Sequence, residues 1–558
     1  MYIKKLFIIP LLAFTLSGCS ETNDINEHTQ NHGSSDSIYT EIGTYPIVKE
    51  GESDSFTAFA PLRPSVTSYS SDVNKFTAYM EELTGMTIDF TEVSSVDAKQ
   101  KLNLMMTGGD YTDVILGMFI THSELLLYGQ QGIFVPLNDL IEQYAPNIKQ
   151  ALDDNPLVKE IWTLEDGNLY TIPRIGTATH TLTSHRMWLN QIWLDNLDLE
   201  IPTTTEQFYQ VLKAFKEQDA NGNGDPNDEI PLSGSLSGWN TDPSVFISNA
   251  FIPNSTASKY INIDENGKLY YVKTTDEWKE YLKYMNKLFS EGLIDELLFS
   301  QGKDQLLKLG SNPTETILGA TAGGSASVIT NIANTERWEQ YIALAPLEGP
   351  NGVKSAAFSP DYGASVFSMT NKCDNPEAVI RYFDYMYTQE GRDLNTLGAV
   401  GDGRVTLAKE GLKNLIGEPA KYTRLSEGEI QNVSWNSMGP LYNRTGYELA
   451  YSVKENTDED IEQVLYNSAV NDYIPVAQNP STMLPILAYN SEESRVIVDL
   501  LTNINLYIDQ VTTEFITGQK DIDEYWNEYL ETLEKNGLSK YISVNQSAYD
   551  RKQASLNK

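Results

Sequence analysis

The chain has 558 residues, 40% hydrophobic and 10% aromatic, enough to bury a large core and to fold as more than one lobe. With 77 Asp and Glu against 40 Lys and Arg, the formal net charge is -37. That field repels polyanions at long range and argues against nucleic acid as a partner.

The first residues read MYIKKLFIIPLLAFTLSGCS. Lys4 and Lys5 form a short basic segment, residues 6–16 an apolar run too short to span a bilayer comfortably, and Leu16, Ser17, Gly18 and Cys19 follow. This ending resembles a bacterial lipobox. The resemblance implies removal of residues 1–18 and a diacylglycerol on the Cys19 sulfur, an anchor rather than a transmembrane helix. The other reading is an ordinary export signal that happens to contain a cysteine; export follows either way. Cys373 is the only cysteine besides Cys19, so no intrachain disulfide framework is expected. Residues 19–52 are mostly polar and cannot repay the entropy of ordering, which predicts a flexible tether.

Folded structure is expected from residue 53. FTAFAP reads as a buried strand, and SDVNKFTAYMEELTG as a helix, with Val73, Phe76, Tyr79, Met80 and Leu83 at helical spacing and Gly85 as its stop. MTIDFTEV alternates as a strand, DAKQKLNLMMTGGD closes a second helix with glycines, and DVILGMF is the next strand. Strand, helix, strand, helix, strand is the pattern of an α/β chain with a parallel sheet. Ligands gather at the carboxyl ends of such strands, here residues 61–64 and 117–119. Arg63, at the first of these ends, is a candidate donor to a ligand hydroxyl or carboxylate.

The most chemically specific run is DANGNGDPNDEIP, residues 219–231. Asp219, Asn221 and Asn223 alternate as oxygen donors, and Gly222 and Gly224 permit the positive φ angles that turn those donors inward. Oxygen donors without sulfur or imidazole favour calcium over zinc. The spacing starts like an EF-hand, yet Ile230 stands at the twelfth position where a bidentate glutamate belongs. A metal-free Asn/Gly/Asp turn is the other reading of the same residues.

Taken in order, PLNDLI with YAPN, DGNLYTIP, WLDNL, PTT before a long helix, DANGNG with DEIP, NPEAVIRYFDYMYTQEG and the C-terminal ITGQKDIDEYWNEYLETLEKNGLSKYI resemble the extracellular solute-binding lipoproteins of bacterial ABC importers, of the large carbohydrate-binding type. The resemblance implies a two-lobed periplasmic-binding-protein-like α/β fold. Its lobes would be residues 53–176 with 363–397 and residues 177–362 with 398–558, crossing near 175–179, 361–365 and 395–400. It further implies that Asp228 and Glu229 close a structural calcium site in residues 219–230, with Asp225 ligating through its side chain or its carbonyl. The implied partners are an oligosaccharide, the permease subunits of an importer and, through Cys19, the outer face of the cytoplasmic membrane; the protein itself would be a monomer.

A sugar site needs aromatic faces with amides and carboxylates beside them. Trp239 lies in the glycine-rich GSLSGWN, where no periodicity accounts for an indole. Asp361 with Tyr362 at an expected crossing, and Trp435 with Asn436 in VSWNSMGP, are the further candidates. Trp188, Trp193, Trp278 and Trp526 fall in helix-patterned runs and are expected in the core. His180 and His185 stand near a crossing, where a structural role is the simpler reading. An exported enzyme such as a glycosidase or lyase would need two positioned carboxylates, and no recognisable catalytic motif is present, since GATAGGSAS lacks the lysine of a phosphate loop. The expectation is a binding protein, with a carbohydrate-active enzyme and a peptide-binding or sensory lipoprotein as alternatives.

Overall fold

The computed structural model describes residues 37–63, 66–95, 97–332, 334–425, 430–444, 446–454 and 460–556. The export segment, Cys19 and most of the expected tether lie outside them.

Two four-stranded sheets organise residues 39–558. In the first, β1 (Asp54–Leu62) is flanked by β2 (Met86–Ser94) and β3 (Val114–Leu116), both parallel to it, and Phe367–Met369 adds an antiparallel edge to β3. The crossover helices form where the sequence sets them. Asn74 caps Lys75–Thr84 by accepting from the amides of Phe76 and Thr77, and Gly85 ends that helix at φ 70°. The second sheet runs Tyr341–Leu344, Arg186–Asn190, Leu318–Gly323, Ile230–Ser233, with only the last pair parallel. Each sheet has its own core. The first buries Phe56, Phe59, Val114, Ile115 and Phe383; the second buries Leu189, Phe208, Leu212 and Ile247, and the three closing helices, Ser491–Ile516, Ile522–Lys535 and Leu538–Leu556, pack onto it. The protein is therefore a two-lobed α/β fold. Trp188, Trp193, Trp278 and Trp526 are all buried.

The chain passes between the lobes at three places that lie side by side. Pro173–Arg174 pairs antiparallel with Ala364–Ser365, and Ile175 bridges in parallel to Tyr442. Gly176 adopts φ 89°, and a Cβ there would stand 1.8 Å from the Asn443 carbonyl oxygen, so only glycine allows this approach.

Two expected boundaries move. Residues 39–52, expected in the tether, belong to the fold: Tyr39 bridges to Val48, Ile47 and Val48 are buried, and the Arg381 guanidinium donates to the Thr40 and Glu41 carbonyls. A polar stretch is ordered here because two apolar residues and one arginine anchor it. The third crossing is not at 395–400, since Trp435 and Met438 are buried in the first lobe's core and the chain leaves that lobe only after Tyr442.

Candidate functional site

Segments that follow or precede strands of both sheets line one cleft of about 890 Å³. Beyond β3, residues 119–122 form part of its first-lobe wall, joined by Trp162 and Arg174. The second lobe contributes His180, Ser184 and Trp239, and the hinge segment contributes Ser359 to Ser365. Trp239, Asp361 and Tyr362, three of the residues singled out in the sequence, thus meet in one cavity.

The Trp239 side chain is held as a platform. Its indole lies on Gly324, where a Cβ would come within 2.5 Å of the ring, and its carbonyl accepts the Gly324 amide at 3.0 Å. The run GATAGGSAS is accordingly a packing surface for an aromatic side chain. Asn240, at φ 57°, donates from its side chain to the Ser184 hydroxyl at 2.8 Å and fixes the loop from the other side. With its back supported, the indole remains 48% exposed.

Asp361 accepts the Gly363 amide at 3.1 Å, and the Tyr362 carbonyl accepts the Trp162 indole N–H at 2.9 Å. His122 stacks on Trp162 at 4.3 Å. The buried His180 is driven down to about 3 by desolvation, with Arg186 and Arg424 adding to the shift. Glu462 lies 3.8 Å from the His180 ring, and the two arginines outweigh it. His180 is therefore a neutral wall residue. His185 is buried as well, and its Nε2 meets the Thr256 hydroxyl at 3.4 Å. At the outer edge of the lobe contact the Lys552 ammonium pairs with Glu160 at 2.8 Å, tying the last helix to the first lobe.

Trp435 is a correction. Its side chain is 0% exposed, packs edge-on against Phe76, Phe90 and Tyr69, and donates its indole N–H to the Thr77 hydroxyl at 2.7 Å. A loop tryptophan without periodicity can fill a core as well as line a cleft, and this one fills the core. Asn436 is not among the residues lining the cleft; its neighbour Ser437 is. Arg63 does not line it directly either, and stands behind Phe119 with its guanidinium 5.8 Å from the ring centroid.

Phe119 and Arg174 were missed. Phe119 is 47% exposed at φ 49°, in the stretch 117–119 where the sheet pattern already placed a ligand edge. That positional signal could have found it. Arg174 gives no comparable sign, because only the hinge pairing turns it into the cleft.

The loop at residues 219–229 leads into the strand Ile230–Ser233. Asp219 accepts the amides of Asn223 and Gly224 at 3.0 and 2.9 Å, and Asp228 accepts from the side-chain amides of Asn221 and Asn223 at 3.0 and 2.9 Å. Asp225 accepts the Asn227 amide at 3.2 Å. One Glu229 oxygen takes the Ala220 amide at 2.9 Å, while the other is buried without a partner; desolvation raises this carboxyl above its usual range. Gly222 and Gly224 take φ 77° and 95°. Among the described residues no three His, Cys, Asp or Glu side chains stand as a metal-binding group.

Residues 63–393, more than half of the chain, match the family described as bacterial extracellular solute-binding protein. The chain belongs to that family. Among curated relatives of this solute-binding protein, the fructooligosaccharide ABC transporter substrate-binding protein FusA of Streptococcus pneumoniae is 29% identical over 544 residues, covering 95% of this chain and 96% of FusA. Lipoprotein LipO of Bacillus subtilis is 25% identical over 549 residues, covering 96% of each. Two solved structures of S. pneumoniae FusA, one with kestose and one of an EF-hand mutant with fructo-nystose, share 26% identity and a TM-score of 0.75 over 90% of this chain and 100% of theirs. The family and these substrate-binding relatives set aside the enzyme reading. Among the described residues no helix is long and apolar enough to cross a membrane.

Proposed function

We propose that this solute-binding protein captures an oligosaccharide between its lobes and delivers it to the permease of an ABC importer, acting as a monomer held by a lipid on Cys19 at the outer face of the cytoplasmic membrane. The observation that carries the ligand class is the pair of half-exposed aromatic rings, Trp239 from one lobe and Phe119 from the other, in a single cleft lined with hydroxyl and charged groups. Aromatic faces take the C–H surface of a sugar ring, and the surrounding polar groups take its hydroxyls. The sugar-binding relatives support the same class. LipO, a lipoprotein by name, supports the anchor. Because the two platforms belong to different lobes, only the closed form makes both contacts, and ligand favours that form by the difference.

The 219–229 loop would hold a structural calcium ion. Asp219, Asn221, Asn223, Asp225, Asp228 and Glu229 supply the oxygens, and the partnerless buried Glu229 oxygen is the group that most needs a cation. Isothermal titration of the purified chain with oligosaccharides and with oligopeptides tests the whole reading. Saccharide binding at micromolar concentration without turnover is expected; peptide binding with no saccharide binding would overturn it.

A further inference from the structure

A second cavity, of about 300 Å³, lies beside the cleft where the two lobes touch. Ser123, Leu126 and Leu164 stand on its first-lobe side, and Leu487, Tyr489 and Arg551 on its second-lobe side. His122 and Ile486 line this cavity and the cleft alike, so the two spaces adjoin at one side chain from each lobe. Both of these side chains are fixed. The His122 imidazole stacks on Trp162 at 4.3 Å, and its Nε2 meets the Ile161 carbonyl at 3.0 Å. Ile486 precedes Leu487 of the second lobe's core, yet packs against the core of the first.

The cavity suits a neutral, hydroxyl-rich group. Its two cations already have carboxylates: Lys552 pairs with Glu160 at 2.8 Å, and the two Glu493 oxygens accept from Arg551 at 2.8 and 2.6 Å. Glu165 adds a further negative charge near Arg551. An anion therefore meets no uncompensated cation here, and its desolvation would go unrepaid. Burial pushes the His122 imidazole below its ordinary range, so it stays neutral. Leu126, Leu164 and Leu487 supply apolar area beside the polar groups, and that mixture takes both kinds of surface of a sugar ring. In size the cavity falls at the small end of the range for ligand pockets, room for the end of a chain rather than the whole of it.

We propose that this cavity is a distal subsite of the ligand cleft, taking the end units of a neutral oligosaccharide that passes between His122 and Ile486. This rests on the oligosaccharide reading above and adds to it a preference for longer chains. Because the walls come from both lobes, end units held there favour the closed form, as the contacts in the cleft do.

Ser123 and Ser494 line the cavity but not the cleft, and both are partly exposed. Tryptophan at either position takes up part of the cavity, while alanine leaves the space open. The test is calorimetric titration of wild type, Ser123→Trp, Ser494→Trp, Ser123→Ala and Ser494→Ala. The ligands are inulin-type fructooligosaccharides, maltooligosaccharides and xylooligosaccharides of increasing length, with oligogalacturonates as the acidic comparison. In whichever neutral series binds, wild-type affinity is expected to keep rising once the cleft is filled, by roughly 10- to 100-fold over the last units. Each tryptophan variant should level off at a shorter chain, with short-chain affinity within about twofold of wild type because the substitution lies outside the cleft. Each alanine variant should follow wild type. Thermal melting of the ligand-free variants shows that the titrations read folded protein, and with one tryptophan on each lobe a misfolded variant leaves the other to decide. Wild-type affinity that levels off at the same length as in the tryptophan variants, or tryptophan variants that lose short and long chains alike, would overturn the proposal while leaving oligosaccharide binding intact. Binding of the oligogalacturonates alone would overturn it in the same way. Failure to bind any of these saccharides would overturn the oligosaccharide reading and this one with it.

Discussion

Replacing Trp239 by alanine tests the cleft most directly. An indole side chain offers about 200 Å² to burial, and 48% of Trp239 is exposed in the ligand-free protein. The exposed part is therefore on the order of 100 Å², worth about 2.5 kcal/mol if wholly covered. A sugar ring laid on one face covers about half of it, which leaves about 1.3 kcal/mol, roughly a tenfold loss of affinity in Trp239→Ala. Calorimetric titration of wild type and variant with the same oligosaccharide gives the ratio. The buried half of the ring rests on Gly324, so the variant also loses stability, and its melting point must be measured to ensure that the titration reads folded protein. An affinity change under about threefold, with the variant folded, would refute the assignment of this ring to the ligand.

Trp435→Ala should do the reverse: the void and the lost bond to Thr77 are expected to cost about 3–5 kcal/mol in chemical denaturation, with affinity changed little in whatever protein remains folded. A strong calcium chelator should lower the melting temperature, by an amount equivalent to about 2.7 kcal/mol at a hundredfold excess of ion over its dissociation constant. Sugar preference should be unaltered, and an unchanged melting curve would mark residues 219–229 as a metal-free turn. Stability should fall between pH 6 and 4, because His180 and His185, held near 3 and 4 by burial, stay neutral in the fold but take up protons once unfolded. Asp384, raised to about 6 by burial, runs the other way over that window, since the fold then holds a proton the open chain has lost. Over these three groups the balance is one proton, about 1.4 kcal/mol per pH unit, and a His185→Gln variant whose urea midpoint falls as steeply as that of the wild type between pH 6 and 4 would contradict the part assigned to His185.

The first lobe was legible because its order is local. Three strands and two helices follow one another with clear periods and glycine stops, and β1, β2 and β3 pair as that pattern requires. Residues 39–52 were misread because their order comes from Arg381, more than 300 positions away in the chain. The same cause explains Trp435, whose burial depends on Phe76, Phe90 and Thr77. Composition registers a tryptophan and its loop, not the core to which a chain returns after crossing. Trp239 was legible because its own neighbourhood, glycine-rich and without period, rules out a simple helix or strand face. Arg174 was not, because its place in the cleft depends on Pro173–Arg174 pairing with Ala364–Ser365 across the hinge.

That hinge is where a single methyl group should matter most. Gly176 sits at φ 89°, and an added Cβ would lie 1.8 Å from the Asn443 oxygen, a backbone atom that cannot rotate away. Alanine there incurs about 1–2 kcal/mol for the left-handed backbone and must also push two of the three crossing segments apart. Relieving the contact moves the bridge between Ile175 and Tyr442, and with it the angle at which Phe119 and Trp239 face each other. Gly176→Ala is therefore expected to lower the melting temperature and to weaken ligand binding, although residue 176 needs no contact with the ligand to do so. Small-angle scattering with and without sugar would show whether the lobes still close. A variant with wild-type compaction, affinity and melting point would mean that the crossings can part without cost, and that lobe geometry is set by the cleft contacts alone.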